Sequence, residues 1–372
     1  MTAPRPTSQP ASLEQLTGLR FVAAFAVLLS HLDFLAQEPG TPRWWIYETL
    51  LRQGYCGVSF FYLLSGFILS HAYGDKLASG AIGLRSYLLL RVCRIGPLHW
   101  IMALLFLAWL VLAGGVPGAG TIALNLALLH AWVPNVEVHY SLNGPSWSLS
   151  DELFFYAMFP WLSRLPARVL ATCLGCAVLL IATVAMLTIG TPGQFSPTAE
   201  WFFYVAPPVR LVDFVAGMLL YRLYRAGHGR RLAGTSSEIC VTLAIPAAMI
   251  AYSLADLPMP LRWQLAYLPP MALAVLVFAH GTGTLSRILC SRWAVLLGEA
   301  SFALYLTHRP LVTLAARVWN DAPILALLLP PACIAFSITT FLWFERPLLA
   351  RLRRSVRAYD QAKSGLKAWQ PS

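Results

Sequence analysis

Two residues near the start of the chain, Arg20 and His31, have the types and the spacing for acid–base chemistry. Eleven helical steps of about 100° return to within about 20° of the start, so both side chains share one face, roughly 16 Å apart along the axis. Neutral imidazole takes a proton from an attacking hydroxyl near neutral pH, which suits His31 to general-base work. The structural alternative is a histidine hydrogen-bonded between helices above a snorkelling arginine. In Arg91-Val92-Cys93-Arg94, two guanidinium groups stand at i and i+3, neighbours on a helix whose forks match phosphate oxygens. Arginines so placed also satisfy the boundary of a membrane span. The stretch Asn143-Gly144-Pro145-Ser146-Trp147-Ser148-Leu149-Ser150-Asp151-Glu152 reads as a helix start, with proline, capping serines and acids in the first turn. Glu152 lies one turn deeper, where it could orient a histidine or bind an acceptor. Ser301, Tyr305 and His308 at i, i+4 and i+7 make one polar stripe, and Arg210 with Asp213 at i and i+3 reads as an intramembrane ion pair. Interhelical hydrogen bonding is the ordinary role of both patterns.

The elements that must hold these groups are membrane helices. Apolar residues make up 58% of the 372-residue chain, charged residues only 12%, and the mean hydropathy is +0.63, well outside the soluble range. The net charge of +11 is not a nucleic-acid footprint, because the basic residues sit between apolar runs without interleaved aromatics. Ten segments approach the roughly 20 residues that a span requires: Leu16 to Ala36, Tyr55 to Tyr73, Ile95 to Ala113, Trp147 to Leu165, Val169 to Ile189, Trp201 to Leu223, Ile239 to Ala255, Trp263 to Ala279, Leu297 to Leu314 and Ile324 to Trp343. A shorter run, Thr121 to Val133, covers only about 20 Å as a helix. The expected fold is therefore an all-α integral membrane protein of about ten transmembrane helices plus a short re-entrant or interfacial helix.

Basic residues accumulate on the cytoplasmic side of short loops. With both termini cytoplasmic and the short run not crossing, 21 of the 27 Lys and Arg residues fall inside, leaving Arg43, Arg52, Arg210, Arg262, Arg309 and Arg317. Residues 1–15 are expected as a flexible tail, 16–347 as one membrane domain and 348–372 as a basic cytoplasmic tail. The N-terminus lacks a charged n-region with a cleavage site, so the first apolar run is expected to be retained. The seven cysteines have no framework spacing, and neither a disulfide scaffold nor a metal site is indicated. The one CxxC, Cys173 to Cys176, falls inside a span.

Sidedness adds what no motif supplies. His31, Glu152 and His308 are expected in the outer halves of their spans, and Arg91 and Arg94 at the inner boundary, on the order of 15 Å away by helix rise. A long flexible donor such as an acyl-pantetheine arm anchored by its phosphates would bridge that gap.

Six stretches in order, Arg20-x10-His31, Gly57-Val58-Ser59-Phe60-Phe61-Tyr62-Leu63-Leu64-Ser65-Gly66-Phe67, Arg91-x-x-Arg94 with Pro97, Pro145 to Glu152, Leu297 to His308, and Glu345-Arg346-Pro347, resemble the membrane-bound acyltransferase-3 family over nearly the whole chain. That family O-acylates bacterial surface polysaccharides, lipopolysaccharide, Nod factors and macrolide antibiotics. The resemblance implies that Arg20 and His31 serve transfer and that Arg91 and Arg94 contact an acyl-CoA donor, acetyl-CoA foremost; His31 is then expected as the catalytic base, helped by Arg20 or Glu152. Ser65, Trp147, Asp213, Ser301, Tyr305 and His308 are then expected to line or support the substrate pocket. It further implies a bacterial cytoplasmic membrane and an acceptor hydroxyl on a sugar, glycolipid or small molecule. Gly96 and Asp151 depart from the family pattern, and the hydrolase-like domain fused to some members is not expected here. A transporter or flippase is the rival reading, since intramembrane charges and re-entrant segments also occur there.

Overall fold

The computed structural model describes residues 13–191, 196–318 and 322–368, all helix or connection, with no strand among them. Most of the expected N-terminal tail lies outside the described residues. Helices occupy each of the ten apolar segments: α1 (Glu14–Ser30), α2 (Gly57–Ala78), α3 (Leu84–Ala113), α4 (Trp147–Leu162), α5 (Ala167–Thr188), α6 (Pro207–Arg225), α7 (Thr235–Leu254), α8 (Leu268–His280), α9 (Arg292–Val318) and α10 (Ala322–Thr340). An eleventh, α11 (Arg346–Ala368), continues from α10 through the π-helical turn Phe341–Glu345.

Among the described residues, six continuous helical runs are long and apolar enough to cross a membrane: Pro42–Ala78, Leu84–Ala113, Ala167–Thr188, Pro197–Arg225, Thr235–Leu254 and Ile324–Val356. The other expected spans fall short for identifiable reasons. α1, α4 and α8 have 17, 16 and 13 residues, about 26, 24 and 20 Å at 1.5 Å per residue. α9 has 27 residues but carries Arg292, Glu299, Arg309 and Arg317 along with its polar stripe. α3 is longer than expected, beginning at Leu84, so that Arg85, Arg91 and Arg94 all lie on one 30-residue helix.

α4 starts where expected, at Trp147, and ends at Leu162, three residues early; the segment before it is folded into the bundle. Ala119–Leu126 is helical, but the chain then breaks, with Leu128 and Leu142 in left-handed backbone at φ 57° and 56°, a conformation that is strained for a branched side chain. Between them lie the short helical turns His130–Trp132 and Val136–His139. Asn125, His130, His139 and Asn143 are fully buried on this segment. Polar side chains and backbone without helical partners are tolerated at membrane depth only where protein covers them. Here Asn125 Nδ2 donates to Ser141 O (2.9 Å), and Asn143 Nδ2 donates to Leu306 O (2.9 Å), tying the segment to α9.

Two close approaches fix the bundle. α2 and α6 cross where Gly66 and Gly217 interlock: a Cβ on Gly217 would run into the Leu63 carbonyl oxygen, and one on Gly66 into that of Phe214. Small residues at such crossings let helix backbones meet in lipid. α1 and α9 run side by side in the same direction, Thr17 against Gly298 at one end and His31 against His308 at the other. That parallel pair defines the two ends of the candidate site.

Candidate active site

At one end the two histidines meet. His31 closes α1 as its C-cap residue, and His308 is fully buried on α9, with ring centroids 4.9 Å apart. The hydrogen-bond network assigns their protons. His308 Nδ1 lies 3.0 Å from Leu304 O, a carbonyl that can only accept, so Nδ1 carries the hydrogen and Nε2 of the neutral ring carries a lone pair. His31 Nδ1 lies 2.9 Å from Val27 O and 3.1 Å from that His308 Nε2, both acceptors, so His31 is protonated at Nδ1. The lone pair of His31 is thereby left on Nε2. No protein partner occupies it among the described residues, and the residue is only partly buried. The turn that presents it is pinned from outside: Arg309 Nη1 donates to Asp33 Oδ2 (2.7 Å) and His31 O (3.3 Å), and Tyr47 OH donates to Ser30 O (2.8 Å) and Asp33 Oδ1 (3.0 Å).

The other end is built around arginines. A narrow cavity of about 70 Å³ is lined by Arg20, Arg94 and Glu152 at one side and by Phe61, Ser301 and Tyr305 at the other. Tyr156 OH donates to Glu152 Oε2 (3.0 Å). The expected grouping is corrected here: Glu152, on an α4 whose first turn is buried in the bundle, lines the narrow cavity with Arg20 and Arg94, and neither histidine lines it. A second cavity of about 400 Å³ shares Arg20 and Arg94 and adds Glu299, Arg346 and Arg353. Arg94 is ion-paired with Glu345. Arg91 parts from it despite the i, i+3 spacing: its Nη2 donates to Tyr73 OH (2.6 Å), with the guanidinium 4.6 Å from the Tyr73 ring centre. The two arginines therefore do not form one joint fork.

Tyr305 links the two ends. Its ring packs 6.0 Å from Phe61 and 6.0 Å from His308, and its hydroxyl donates to Pro145 O (3.1 Å), at the start of the α4 turn. Ser301 lines the narrow cavity and donates to Gly298 O (2.7 Å). Trp147 is buried against Tyr204, with centroids 4.9 Å apart, and Ser65 is partly buried on α2; neither lines the two cavities. Asp213 pairs with Arg210 at 3.1 Å, both fully buried, and Arg210 Nη2 donates to Ser59 Oγ (2.8 Å). This pair stands behind the cavity wall formed by Tyr62, whose ring centre lies 5.1 Å from the guanidinium.

Sequence reasoning missed Tyr156, Phe61, Arg346 and Arg353. Tyr156 stands at i+4 from Glu152 and was recoverable from helical spacing. Of the two α11 arginines, Arg346 figured only within the Glu345-Arg346-Pro347 stretch and Arg353 only as topology. Among the described residues no group of three or more His, Cys, Asp or Glu side chains is placed to hold a metal ion.

Comparison with known proteins gives this arrangement a family. The acyltransferase domain model of the acyltransferase-3 family matches residues 13–345. Acyltransferase MdmB of Streptomyces mycarofaciens is 31% identical across 94% of this chain and 96% of its own length. Exopolysaccharide production protein ExoZ of Rhizobium meliloti is 26% identical across 81% of the chain and 91% of its own length. Peptidoglycan O-acetyltransferase OatA of Listeria monocytogenes is 23% identical across 82% of the chain, which covers 50% of that protein. No solved structure matches. An all-helical bundle with six membrane-length apolar runs, matched from residue 13 to residue 345 by one family model, is an integral membrane acyltransferase that belongs to the acyltransferase-3 family.

Proposed function

We propose that this acyltransferase moves an acyl group, acetyl foremost, from an acyl-CoA thioester to a hydroxyl of a glycan, glycolipid or secreted small molecule, with His31 as general base. The observation that carries the reading is the assigned tautomer of His31: its Nδ1 hydrogen is engaged by Val27 O and His308 Nε2, leaving the Nε2 lone pair without a protein partner among the described residues. An imidazole in that state accepts the proton of an acceptor hydroxyl as its oxygen attacks the thioester carbonyl carbon. The C–O bond forms, the C–S bond breaks, and the proton passes from His31 to the departing thiolate. His308 acts as the positioning residue, holding the ring in one tautomer and orientation.

The donor enters from the arginine end, where Arg20, Arg94 and Glu152 line the narrow cavity whose wall includes Tyr305, a ring 6.0 Å from that of His308. The distribution of basic residues supports a cytoplasmic position for that end and for both termini, on the side where coenzyme A is available. Glycan acceptors are favoured by two relatives whose names refer to peptidoglycan and exopolysaccharide. The test is transfer of radioactive acetyl from acetyl-CoA to a panel of glycan and small-molecule acceptors by membranes containing the chain. Label is expected on an acceptor with the wild-type chain and to be lost with His31→Ala. Wild-type labelling by His31→Ala at equal protein abundance would overturn the assignment.

A further inference from the structure

We propose that the larger cavity is a built site for the phosphates of the nucleotide-bearing donor, and that Arg346 and Arg353 of the C-terminal helix α11 complete it. The inference rests on the acyl-CoA reading and deepens it by assigning the anchoring site to a helix that the arginine motif on α3 does not include.

The cavity of about 400 Å³ is walled by Arg20 of α1, Arg94 of α3, and Arg346 and Arg353 of α11, with Glu299 of α9 as the acid among its lining residues. Among the described residues, only Arg94 of these four is in an ion pair, and its partner Glu345 keeps one carboxylate oxygen buried without a hydrogen bond. Three guanidinium groups therefore converge on one space without a carboxylate at ion-pair distance. Like charges gathered in this way repel unless an anion joins them; Arg346 and Arg353 are exposed, which leaves them open to a ligand from the aqueous side. Arg346 and Arg353 are seven residues apart, two turns along one helix face and about 10 Å from each other. That spacing suits two separate phosphate groups better than one, as in a nucleotide that carries both a diphosphate and a phosphomonoester. Arginine forks bind such oxygens in pairs.

The helix that carries them is docked. Leu349 and Val356, one on each side of Arg353, are buried at 8% and 9% exposure, and Leu349 and Phe341 form the apolar part of the cavity wall. Arg351 and Arg354 lie on the same helix but do not line the cavity. They are available to headgroups at a membrane surface, and they serve as an internal control.

The experiment measures binding of coenzyme A to the purified full chain in phosphatidylcholine nanodiscs. Wild-type protein is expected to bind it, with inorganic pyrophosphate as a competitor. Arg346→Gln and Arg353→Gln should each raise Kd about tenfold, the loss of one charge-assisted contact. Arg353→Lys should recover part of the affinity, and Arg351→Gln should stay within about twofold of wild type. Unchanged affinity in both glutamine variants would overturn the site while leaving the donor reading standing. Equal weakening by Arg351→Gln, or an effect seen only in nanodiscs of anionic lipid, would likewise overturn it and assign the arginines to lipid. Wild-type protein that binds no coenzyme A while His31-dependent transfer proceeds from another donor would overturn both readings.

Discussion

The histidine end and the arginine end of the site lie on the same two helices, α1 and α9, yet they are built on opposite principles. At the histidine end the Nδ1 hydrogens of both rings are accounted for, the carrier turn is pinned by Arg309, Asp33 and Tyr47, and the one lone pair left without a protein partner is His31 Nε2. At the arginine end, four cationic groups surround a space and only one of them is in an ion pair among the described residues. A satisfied network holds one atom in one place, which bond-making requires. An unsatisfied cationic cavity leaves its charge to the ligand, as an anchor does. The difference teaches that rate should be sensitive at one end and donor affinity at the other.

Substitutions that separate these quantities can break the comparison. The largest effect is expected for His31→Ala, which removes the general base and should lower transfer about 10²- to 10⁴-fold with normal protein abundance. Next, His308→Phe removes the acceptor that orients His31 but keeps an aromatic ring in the pocket. It should lower kcat on the order of 10²-fold while leaving KM for the donor unchanged, and a shifted KM with unchanged kcat would reverse the assignment. Arg94→Gln is expected to do the opposite, raising donor KM about tenfold with little change in kcat. Gly217→Val should harm both ends together, since its side chain would push α6 off α2 at the Leu63 carbonyl. A cost of about 1 to 3 kcal/mol is expected, read as a lower melting temperature in detergent. At the bottom of the scale, Cys173→Ser with Cys176→Ser should change neither rate nor stability, because both thiols are free and exposed on α5.

Much of the framework is legible in the sequence because hydrophobic runs and helical spacing are local signals. The ten apolar segments all contain helices, and the shared face of Arg20 and His31 follows from a spacing of eleven. The proximity of His308 to His31 is not local: it depends on α1 and α9 running parallel and meeting closely at Thr17 and Gly298. Glu152 was grouped with the histidines because its helix looked like a full span. Left-handed backbone at Leu128 and Leu142 breaks the buried segment before α4, and the packed bundle sets Glu152 on the same narrow cavity as Arg20. The i, i+3 pair Arg91 and Arg94 looked like one fork, but distant partners, Tyr73 and Glu345, draw the two apart. Arg346 stood in the sequence only as part of the Glu345-Arg346-Pro347 stretch and Arg353 as one more basic residue after the last span, which topology alone demands.

The central claim is that anchoring and chemistry occupy separate ends of one site, and coenzyme A binding by the His31→Ala protein tests it most directly. Measured side by side, that variant should bind coenzyme A within about twofold of wild type while acyl transfer is lost. Transfer at the wild-type rate, or affinity lost together with transfer in a protein that still melts like wild type, would contradict the account.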